Sequence, residues 1–296
     1  MPRDAGAVLR SLRALAILSV ILPLFIFSVF GAFRYAEAMQ NADQRVTRSL
    51  RVSHEHAVRV LAGAESMQDR VLELVRGRNA AELRADEARL HQTFRRWMDG
   101  QKQLQSIWVI GPDGKPLASS VGFPAPAIEV SDRPYFHFHR AGSTTRYWSE
   151  PLVTRVAKDK IIDLSLRFDG ADGGFGGVVN VSLHTSYFEQ FYTDLVANEP
   201  GLAVNMFRRD GPIYVRWPAV PGLPDRLGKS SPVLTRVMAG ENAGRLTGVS
   251  SVDGQERLLA FTRVGDSPLF LGAGMNLSEV RWQLARELGI FLLVGL

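Results

Sequence analysis

The sequence contains no cysteine. Disulfides, thiolate nucleophiles and cysteine-ligated metal or iron–sulfur sites are therefore excluded. The absence is compatible with a location outside the bacterial cytoplasm, where unpaired thiols are oxidised. Excess charge is also small: 35 lysines and arginines against 30 acids give a net charge of +5, and the arginines are scattered along the chain. The sequence thus lacks the clustered basic footprint of a nucleic-acid-binding protein, and no nucleic-acid partner is expected.

The chain also lacks the signatures of common catalytic and cofactor sites. No G-x-S-x-G nucleophile elbow occurs, and the glycine-rich stretch 170–177 has no Lys-Ser/Thr of a P-loop. His137 and His139 are two residues apart, which is not the spacing of a helical metal pair. We therefore expect no metal, no cofactor and no catalysis in this segment. A membrane-anchored hydrolase and a structural protein remain the alternatives.

The first positive signal is an uncharged apolar run at residues 14–33, ALAILSVILPLFIFSVFGAF. Twenty helical residues are enough to cross a hydrocarbon core of about 30 Å. Arg3, Arg10 and Arg13 precede the run, so the positive-inside rule assigns residues 1–13 to the cytoplasm. A cleaved signal peptide is the alternative, but the run is longer than a usual signal core. We predict an uncleaved transmembrane helix.

Another apolar stretch lies at residues 288–296, LGIFLLVGL, directly after Arg286 and Glu287. Nine residues cannot span a bilayer, so the stretch is either a short tail or the start of a second transmembrane helix. We favour the second interpretation, with residues 279–287 as a helix that returns to the membrane. Residues 34–287 would then be one periplasmic loop of a protein in the bacterial inner membrane.

Residues 34–76 contain no proline and a single glycine, Gly63, which predicts that the first helix continues as a long stalk. Apolar and small residues recur there at alternating spacings of four and three. The members of this seam are Val46, Leu50, Ser53, Ala57, Val60, Ala64, Met67, Val71 and Leu74. The seam could pack on a twin helix, giving a homodimer, or on its own domain. His54 and His56 are expected to be solvated. A connecting helix completes the segment 34–103.

Two stretches of strand-like sequence follow, and they share one architecture. Residues 106–119 read as a hairpin with a Pro-Asp-Gly turn, followed by three strand-like runs and a short amphipathic helix. Residues 202–217 begin the same series again with an Asp-Gly turn. We therefore predict an α+β protein: a long N-terminal helix, a membrane-distal module at 104–197 and a membrane-proximal module at 198–278, both with antiparallel sheets.

Several segments, in this order, carry a family resemblance: IWVIGPDGKPLASS, SDRPYFHFHRAG, YWSEPLVTR, LSLRF with GGVVNVSLHTSYFEQFY, and DGQERLLAFTRV. Over residues 34–287 they resemble the extracytoplasmic double Cache (PAS-like) sensor regions of bacterial signalling proteins. The resemblance implies a five-stranded antiparallel sheet in each module and a ligand in the distal one. It also implies a cytoplasmic histidine kinase or diguanylate cyclase beyond this segment, with a chemoreceptor as the alternative.

The resemblance makes residues 131–151, SDRPYFHFHRAGSTTRYWSEP, the lid of the distal pocket. Arginines can grip a carboxylate, aromatic rings can exclude water, and an acid can accept a ligand amine. The candidate ligand-binding residues are Asp132, Arg133, Tyr135, Phe136, His139, Arg140, Arg146, Tyr147, Trp148, Ser149, Asp163 and Arg167. Helix capping is the alternative role of Asp132 and Arg133, and core packing that of Phe136 and Trp148.

Strand alternation restricts these candidates. Tyr147 and Ser149 face one side of a strand and Trp148 the other, so only one set can line the pocket. Asp163, Ser165 and Arg167 share one face of the next strand, which either meets the pocket or faces solvent. The motif Arg146-Tyr147-Trp148-Ser149 lacks the tyrosine that follows Arg-x-Trp in amino-acid-binding relatives. A mono- or dicarboxylate is therefore as acceptable a ligand as an amino acid.

Overall fold

The computed structural model describes residues 5–220, 222 and 224–295. A single helix, α1 (Ala5–Val75), runs without a break from the apolar segment through the stalk. Among the described residues, it is the one helix long and apolar enough to cross a membrane. Its most apolar window has a mean hydropathy of 2.5 and none of that window is buried by the rest of the protein. Gly77, with φ of +73°, follows the end of the helix.

Two short helices lead from α1 into the first sheet. They are α2 (Ala80–Ala85) and α3 (Glu87–Met98), separated at Asp86 where one continuous helix was predicted. Asn79 caps α2: its side chain accepts from the Glu82 N–H at 2.9 Å, and the Glu82 carboxylate accepts from the Asn79 N–H. Leu83, Leu90 and Phe94 are buried and attach these helices to the sheet.

The distal sheet has six antiparallel strands instead of the expected five. They are β1 (Leu104–Ile110), β2 (Pro116–Ser119), β3 (Tyr147–Trp148), β4 (Leu152–Val153), β5 (Lys160–Asp169) and β6 (Phe175–His184), in the order β2-β1-β6-β5-β3 with β4 also paired to β5. The extra strand arises because the edge is broken between Trp148 and Leu152. Pro151 lies in that break and has no N–H to donate to a ladder. Helix α4 (Pro134–Arg140) lies between β2 and β3 in the chain.

The proximal sheet has the expected five antiparallel strands. Helix α5 (Thr185–Val196) leads into β7 (Leu202–Arg208) and β8 (Ile213–Trp217), followed by α6 (Pro232–Met238), β9 (Ala243–Val249), β10 (Glu256–Arg263), β11 (Leu269–Asn276) and α7 (Leu277–Gly295). The spatial order is β8-β7-β11-β10-β9. Both sheets therefore share one plan, a hairpin, a helix and a three-stranded meander. The predicted α+β fold with two tandem modules is confirmed.

The seam of α1 packs against the chain's own sheets. Five residues of the seam are fully buried: Val46, Ser53, Ala57, Ala64 and Val71. The apolar residues of the seam belong to, or pack against, one core that includes residues of both sheets. A surface that is already filled in this way cannot also be a dimer seam. Of the two interpretations left open by the heptad spacing, internal packing is correct, and the predicted homodimer loses its sequence support.

The expectation that His54 and His56 are solvated is wrong. His54 Nε2 lies 3.1 Å from the carbonyl oxygen of Arg263. The His56 ring is half-buried and stacks on Phe191 of α5 at a centroid distance of 3.7 Å. Burial, followed by the charge of Arg59, lowers the pKa of His56. This histidine is therefore part of the contact between α1 and α5.

Helix α7 runs antiparallel to α1 beside its apolar segment. Phe291 stacks on Phe30 with ring centroids 4.8 Å apart, and Glu287 forms an ion pair with Arg34. The second apolar stretch of the sequence is thus helical through residue 295, while residue 296 lies outside the described residues. The helices that precede and follow the two modules thus meet in this pair.

Candidate ligand-binding site

Helix α4 covers one face of the distal sheet. Pro134 occupies the first turn, where its fixed φ suits a helix start. Tyr135, Phe136 and His139 are buried and point toward the sheet, while Arg140 is exposed. This three-to-four spacing is the apolar face of a helix. The lid predicted from the sequence is therefore a seven-residue helix with one face on the sheet.

Neither Asp132 nor Arg133 caps the start of α4 with its side chain. The N-cap residue, Arg133, makes no side-chain capping hydrogen bond. The Asp132 carboxylate instead accepts two hydrogen bonds from Arg155, at 2.8 and 2.6 Å. The Arg155 guanidinium also donates to the backbone carbonyl of Glu129. Arg155 thus ties the lid entrance to the segment that follows β4.

The face beneath α4 carries an unusual number of polar groups for the middle of a sheet. On β5, Asp163, Ser165 and Arg167 share this face, as alternation predicted. Asp163 pairs across to Ser182 of β6, and Ser165 to Asn180. All five of these residues would be expected to be apolar if the face only packed against a helix. Their polarity indicates a binding surface.

A cavity lies between the start of α4, strands β1, β5 and β6, and the segment around β4. The space in it that the centres of water molecules can occupy is about 50 Å³. The polar side chains that line it include Arg133, Tyr135, Arg155, Asp163, Asn180 and Ser182. Trp108, Ile110 and Ile161 add apolar walls. Three residues of the predicted set, Arg133, Tyr135 and Asp163, thus meet at one cavity.

Asp163 is the buried ionisable group of this cavity. Its side chain accepts a hydrogen bond from Ser182 Oγ at 2.6 Å, and the residue is 5% exposed. Burial raises the pKa of Asp163 to about 6, against the opposing effects of the Ser182 hydrogen bond and the Arg133 charge. Beside it, Asn180 Oδ1 is buried with no hydrogen-bond partner. Two acceptor groups therefore face the cavity with unused capacity for a donor.

Positive charge lies on the other side of the cavity. The Arg133 guanidinium is half-buried, and no hydrogen bond joins it to any residue in the described part of the chain. Its charge is close enough to Asp163 to lower the pKa of that carboxyl group. Burial also raises the pKa of the Tyr135 hydroxyl, which stays protonated and able to donate. The cavity thus has an anionic floor and a cationic, donor-rich side.

Three other predicted residues belong to α4 but do not line this cavity. Phe136 packs edge-on against Phe175 at a centroid distance of 5.6 Å, so its core-packing alternative holds. His139 Nε2 lies 3.0 Å from Ser165 Oγ. Arg140 projects from the exposed side of α4.

The remaining predicted residues lie away from the cavity for reasons of strand alternation and pairing. Tyr147 is on the lid face but packs on the Phe138 ring, while Trp148 points into the core beside α1. Ser149 Oγ accepts from the Asp163 backbone N–H at 2.9 Å. Arg167 donates to Asp169 at 2.7 Å and lies over the ring of Phe175.

Arg146 makes a connection that the sequence did not suggest. Its Nε donates to the Gln68 side-chain oxygen at 3.1 Å, and its guanidinium pairs with Asp69. Gln68 is itself buried in α1 and donates to the backbone carbonyls of Leu164 and Val179. Arg146 therefore joins the end of the lid segment to the stalk helix.

Sequence reasoning missed several lining residues, among them Trp108, Asn180, Ser182 and Arg155. A signal was present for those on β1 and β6, because Trp108 alternates with apolar residues on β1 as Asn180 and Ser182 do on β6. Arg155 had no comparable signal, since it follows a two-residue strand in a loop.

Comparisons with known proteins agree with this architecture. Residues 185–274 match the family model dCache_1_like, described as a histidine kinase sensor domain. A comparison with curated protein sequences finds no match. Among solved structures, the extracellular domain of rpHK1S-Z16, assigned as a histidine kinase, is 24% identical with a TM-score of 0.67, and the alignment covers 80% of this chain and 95% of that one.

Two further structures are chemoreceptor domains from Campylobacter jejuni. The periplasmic sensory domain of Tlp1 is 12% identical with a TM-score of 0.60, covering 81% of this chain and 95% of that one. The ligand-binding domain of Tlp3, solved with L-valine, is 15% identical with a TM-score of 0.54, covering 84% and 98%.

Residues 185–274 thus resemble a Cache-type sensor domain, which agrees with the family resemblance seen in the sequence. The family match covers α5 and nearly all of the proximal module, and the fold likeness extends over both modules. The matched model describes a sensor domain, which agrees with the expectation that this segment is not an enzyme.

Proposed function

We propose that this chain is the sensing part of a transmembrane receptor and that its distal cavity binds a small molecule carrying an amine, with amino acids as the best-fitting class. The observation that carries this proposal is Asp163, a buried carboxyl group on the cavity floor. A buried acid is costly to ionise unless a positive charge approaches it. A ligand ammonium group supplies that charge.

The opposite side of the cavity suits the second charge of an amino acid. Arg133 offers an unpaired guanidinium and Tyr135 a protonated hydroxyl, both suited to a carboxylate. A dicarboxylate would bring a second anion toward Asp163, which is unfavourable. Apolar walls at Trp108 and Ile161 favour a small apolar side chain. Tlp3, a protein of similar fold, has been solved with L-valine and with isoleucine.

The membrane topology follows from α1 and its flanking charges. The apolar segment near the start of α1 anchors the protein, the arginines before it remain in the cytoplasm, and the two modules lie outside. The output is a cytoplasmic histidine kinase or a diguanylate cyclase, and the description of the family model favours the kinase. A chemoreceptor output is the second candidate, since two of the similar folds are chemoreceptors.

Signal transmission uses the contact between the lid and the stalk. Only five residues separate the end of α4 from Arg146, which is bonded to Gln68 and Asp69 on α1. A ligand that binds the closed lid more tightly than the open one shifts this equilibrium and the position of α1 with it. The other end of α1 pairs with α7 at Arg34 and Glu287, where the shift reaches the membrane.

The ligand class is tested by thermal unfolding of the whole chain in detergent micelles with amino acids, amines, mono- and dicarboxylates. A ligand at 100 times its dissociation constant adds about 2.7 kcal/mol to the free energy of unfolding. We expect amino acids to stabilise the wild type, and Asp163→Asn to abolish the effect. Stabilisation by dicarboxylates that survives Asp163→Asn would contradict the proposal.

The carboxylate side is tested by Arg133→Met, with Arg167→Met as the matched control. Loss of a charged hydrogen bond costs about 1.5–3 kcal/mol of binding, so Arg133→Met should weaken affinity by at least about tenfold. Arg167 is bonded to Asp169 outside the cavity, so its replacement should leave affinity unchanged. Equal effects of both substitutions would remove Arg133 from the site.

A further inference from the structure

The proximal module has a cavity of its own, beneath α6. It lies between strands β7, β8, β10 and β11, the start of α6 and the turn that joins β9 to β10, and its volume for the centre of a water molecule is about 40 Å³. Small residues form much of its floor: Ala203, Gly272 and Gly274. A β-carbon at Gly274 would approach the Leu259 side chain to 2.7 Å, so larger residues there would fill this space.

Two buried arginines line the cavity from strands that are not neighbours. Arg216 lies on β8 and Arg257 on β10, with β7 and β11 between them. Their side chains are 4% and 8% exposed, and both guanidinium groups donate to the same Asp253 oxygen, at 2.6 and 2.8 Å. Arg257 also donates to the carbonyls of Gly201 and Gly274.

The charges in this cluster do not balance. Two guanidinium groups share the one carboxylate of Asp253, and no acid is among the described residues that line the cavity itself. Both Nε atoms, of Arg216 and Arg257, are buried without a hydrogen-bond partner, and so is Ser251 Oγ. An unpaired buried donor on a charged group is expensive, so this arrangement favours an additional anion.

We propose that this cavity is a second ligand site, which takes a small monocarboxylate. A single negative charge neutralises the one uncompensated arginine, whereas a phosphate or sulfate dianion would leave an excess of negative charge. The planar carboxylate can accept from the guanidinium N–H groups and from Ser251 Oγ. With room for about three or four water molecules, the cavity admits a ligand of about three to six heavy atoms.

The buried ionisable groups of the two cavities carry opposite charges. The distal floor carries a buried acid that seeks a cation, and the proximal one carries buried arginines that seek an anion. Occupation of the proximal cavity therefore does not depend on the amine ligand proposed for the distal one. The proximal site lies closer along the chain to α7, which begins directly after β11.

The site is tested by calorimetric titration of the whole chain, in detergent micelles, with sodium acetate, propionate and pyruvate. Sodium chloride, nitrate and sulfate at matched ionic strength serve as comparators. We expect saturable binding of a carboxylate that Arg216→Met weakens at least tenfold. Arg245→Met, which removes an exposed arginine of the same module, should leave it unchanged. Asp163→Asn should also leave it unchanged, which separates this site from the distal one.

Asp253→Asn tests whether carboxylate affinity rises when the cluster becomes more positive. Removing the acid leaves both arginines uncompensated, so carboxylate binding should become several-fold tighter in the folded variant. A merely structural role of the cluster predicts no such gain. Arg216→Met should remain folded, because Arg257 still pairs with Asp253 and the buried charges then balance.

Three results would overturn the proposal. They are the absence of saturable carboxylate binding to the wild type, chloride binding as strong as acetate binding, and unchanged affinity in Arg216→Met. Should Arg216→Met fail to fold, Ser251→Leu replaces it, because leucine there occupies the cavity and leaves both arginines intact. Carboxylate binding that persists in folded Ser251→Leu would equally exclude this cavity.

Discussion

Replacing Asp163 by asparagine should make the protein more stable at neutral pH, although it removes a charged group from the candidate site. The pKa of Asp163 is raised from 3.8 to about 6, chiefly by burial. The two values differ by about two, and each pKa step corresponds to about 1.4 kcal/mol, so ionised Asp163 costs the folded state roughly 3 kcal/mol. Asparagine keeps the shape, and its oxygen can still accept from Ser182 Oγ.

The pH dependence gives the sign of this effect. Since the folded-state pKa is higher, the folded protein binds more protons than the unfolded chain between pH 3.8 and about 6. The stability contributed by protonated Asp163 is complete below the lower value and lost as the pH rises through about 6. The advantage of Asp163→Asn should therefore be largest at pH 7.5 and smaller by about 2 kcal/mol at pH 4.5.

Thermal unfolding of the whole chain, followed by tryptophan fluorescence at both pH values, measures this difference. For a chain of this size, 1 kcal/mol corresponds to a shift in Tm of about 2–4 °C. Asp194→Asn, at an exposed position of α5, controls for the loss of one negative charge. An Asp163→Asn variant that is less stable by the same amount at both pH values would refute the reasoning. It would mean that hydrogen bonds and Arg133 outweigh the cost of burial.

Three further predictions concern the frame around the site. Val60→Asp should cost more than about 3 kcal/mol in urea unfolding, because Val60 is in the core, while Arg59→Asp at the exposed neighbour should stay near 0.5 kcal/mol. A Val60→Asp protein that stays folded but loses self-association would show that the seam is a dimer interface. Gly177→Ala should cost more than about 4 kcal/mol, because its β-carbon would overlap the Ile110 carbonyl oxygen. Gly173→Ala, also at positive φ but in open space, should cost about 1–2 kcal/mol, and similar losses for both would contradict this account. The pKa of His56 is lowered by burial, so its stabilising effect is present above pH 6.5 and lost as the pH falls. The Tm of wild type should thus fall relative to that of His56→Phe between pH 7.5 and 5.5. A constant difference in Tm would show that folding leaves the pKa of His56 unchanged.

Local patterns in the sequence determined which elements form and in what order. The uncharged run and the proline-free stalk specify one long helix, and the turn signals at 112–114 and 210–211 specify hairpins, because these preferences act within a few residues. Alternation along β5 also established that Asp163 shares a face with Ser165 and Arg167. It could not reveal that this face lies under α4, since both faces of a strand are equivalent until something packs on one of them.

Tertiary structure alone decided which charged groups meet. Arg133 reaches the distal cavity while Arg146 reaches α1, although both lie in the same segment, because Arg133 precedes α4 and Arg146 follows it. The heptad spacing of the stalk suited a partner helix and a sheet equally, and the choice came from the sheets that cover it. Arg216 and Arg257 are far apart in sequence and come from strands that are not neighbours. No local pattern could join both arginines at Asp253, because only the assembled sheet and the turn between β9 and β10 bring the three side chains together.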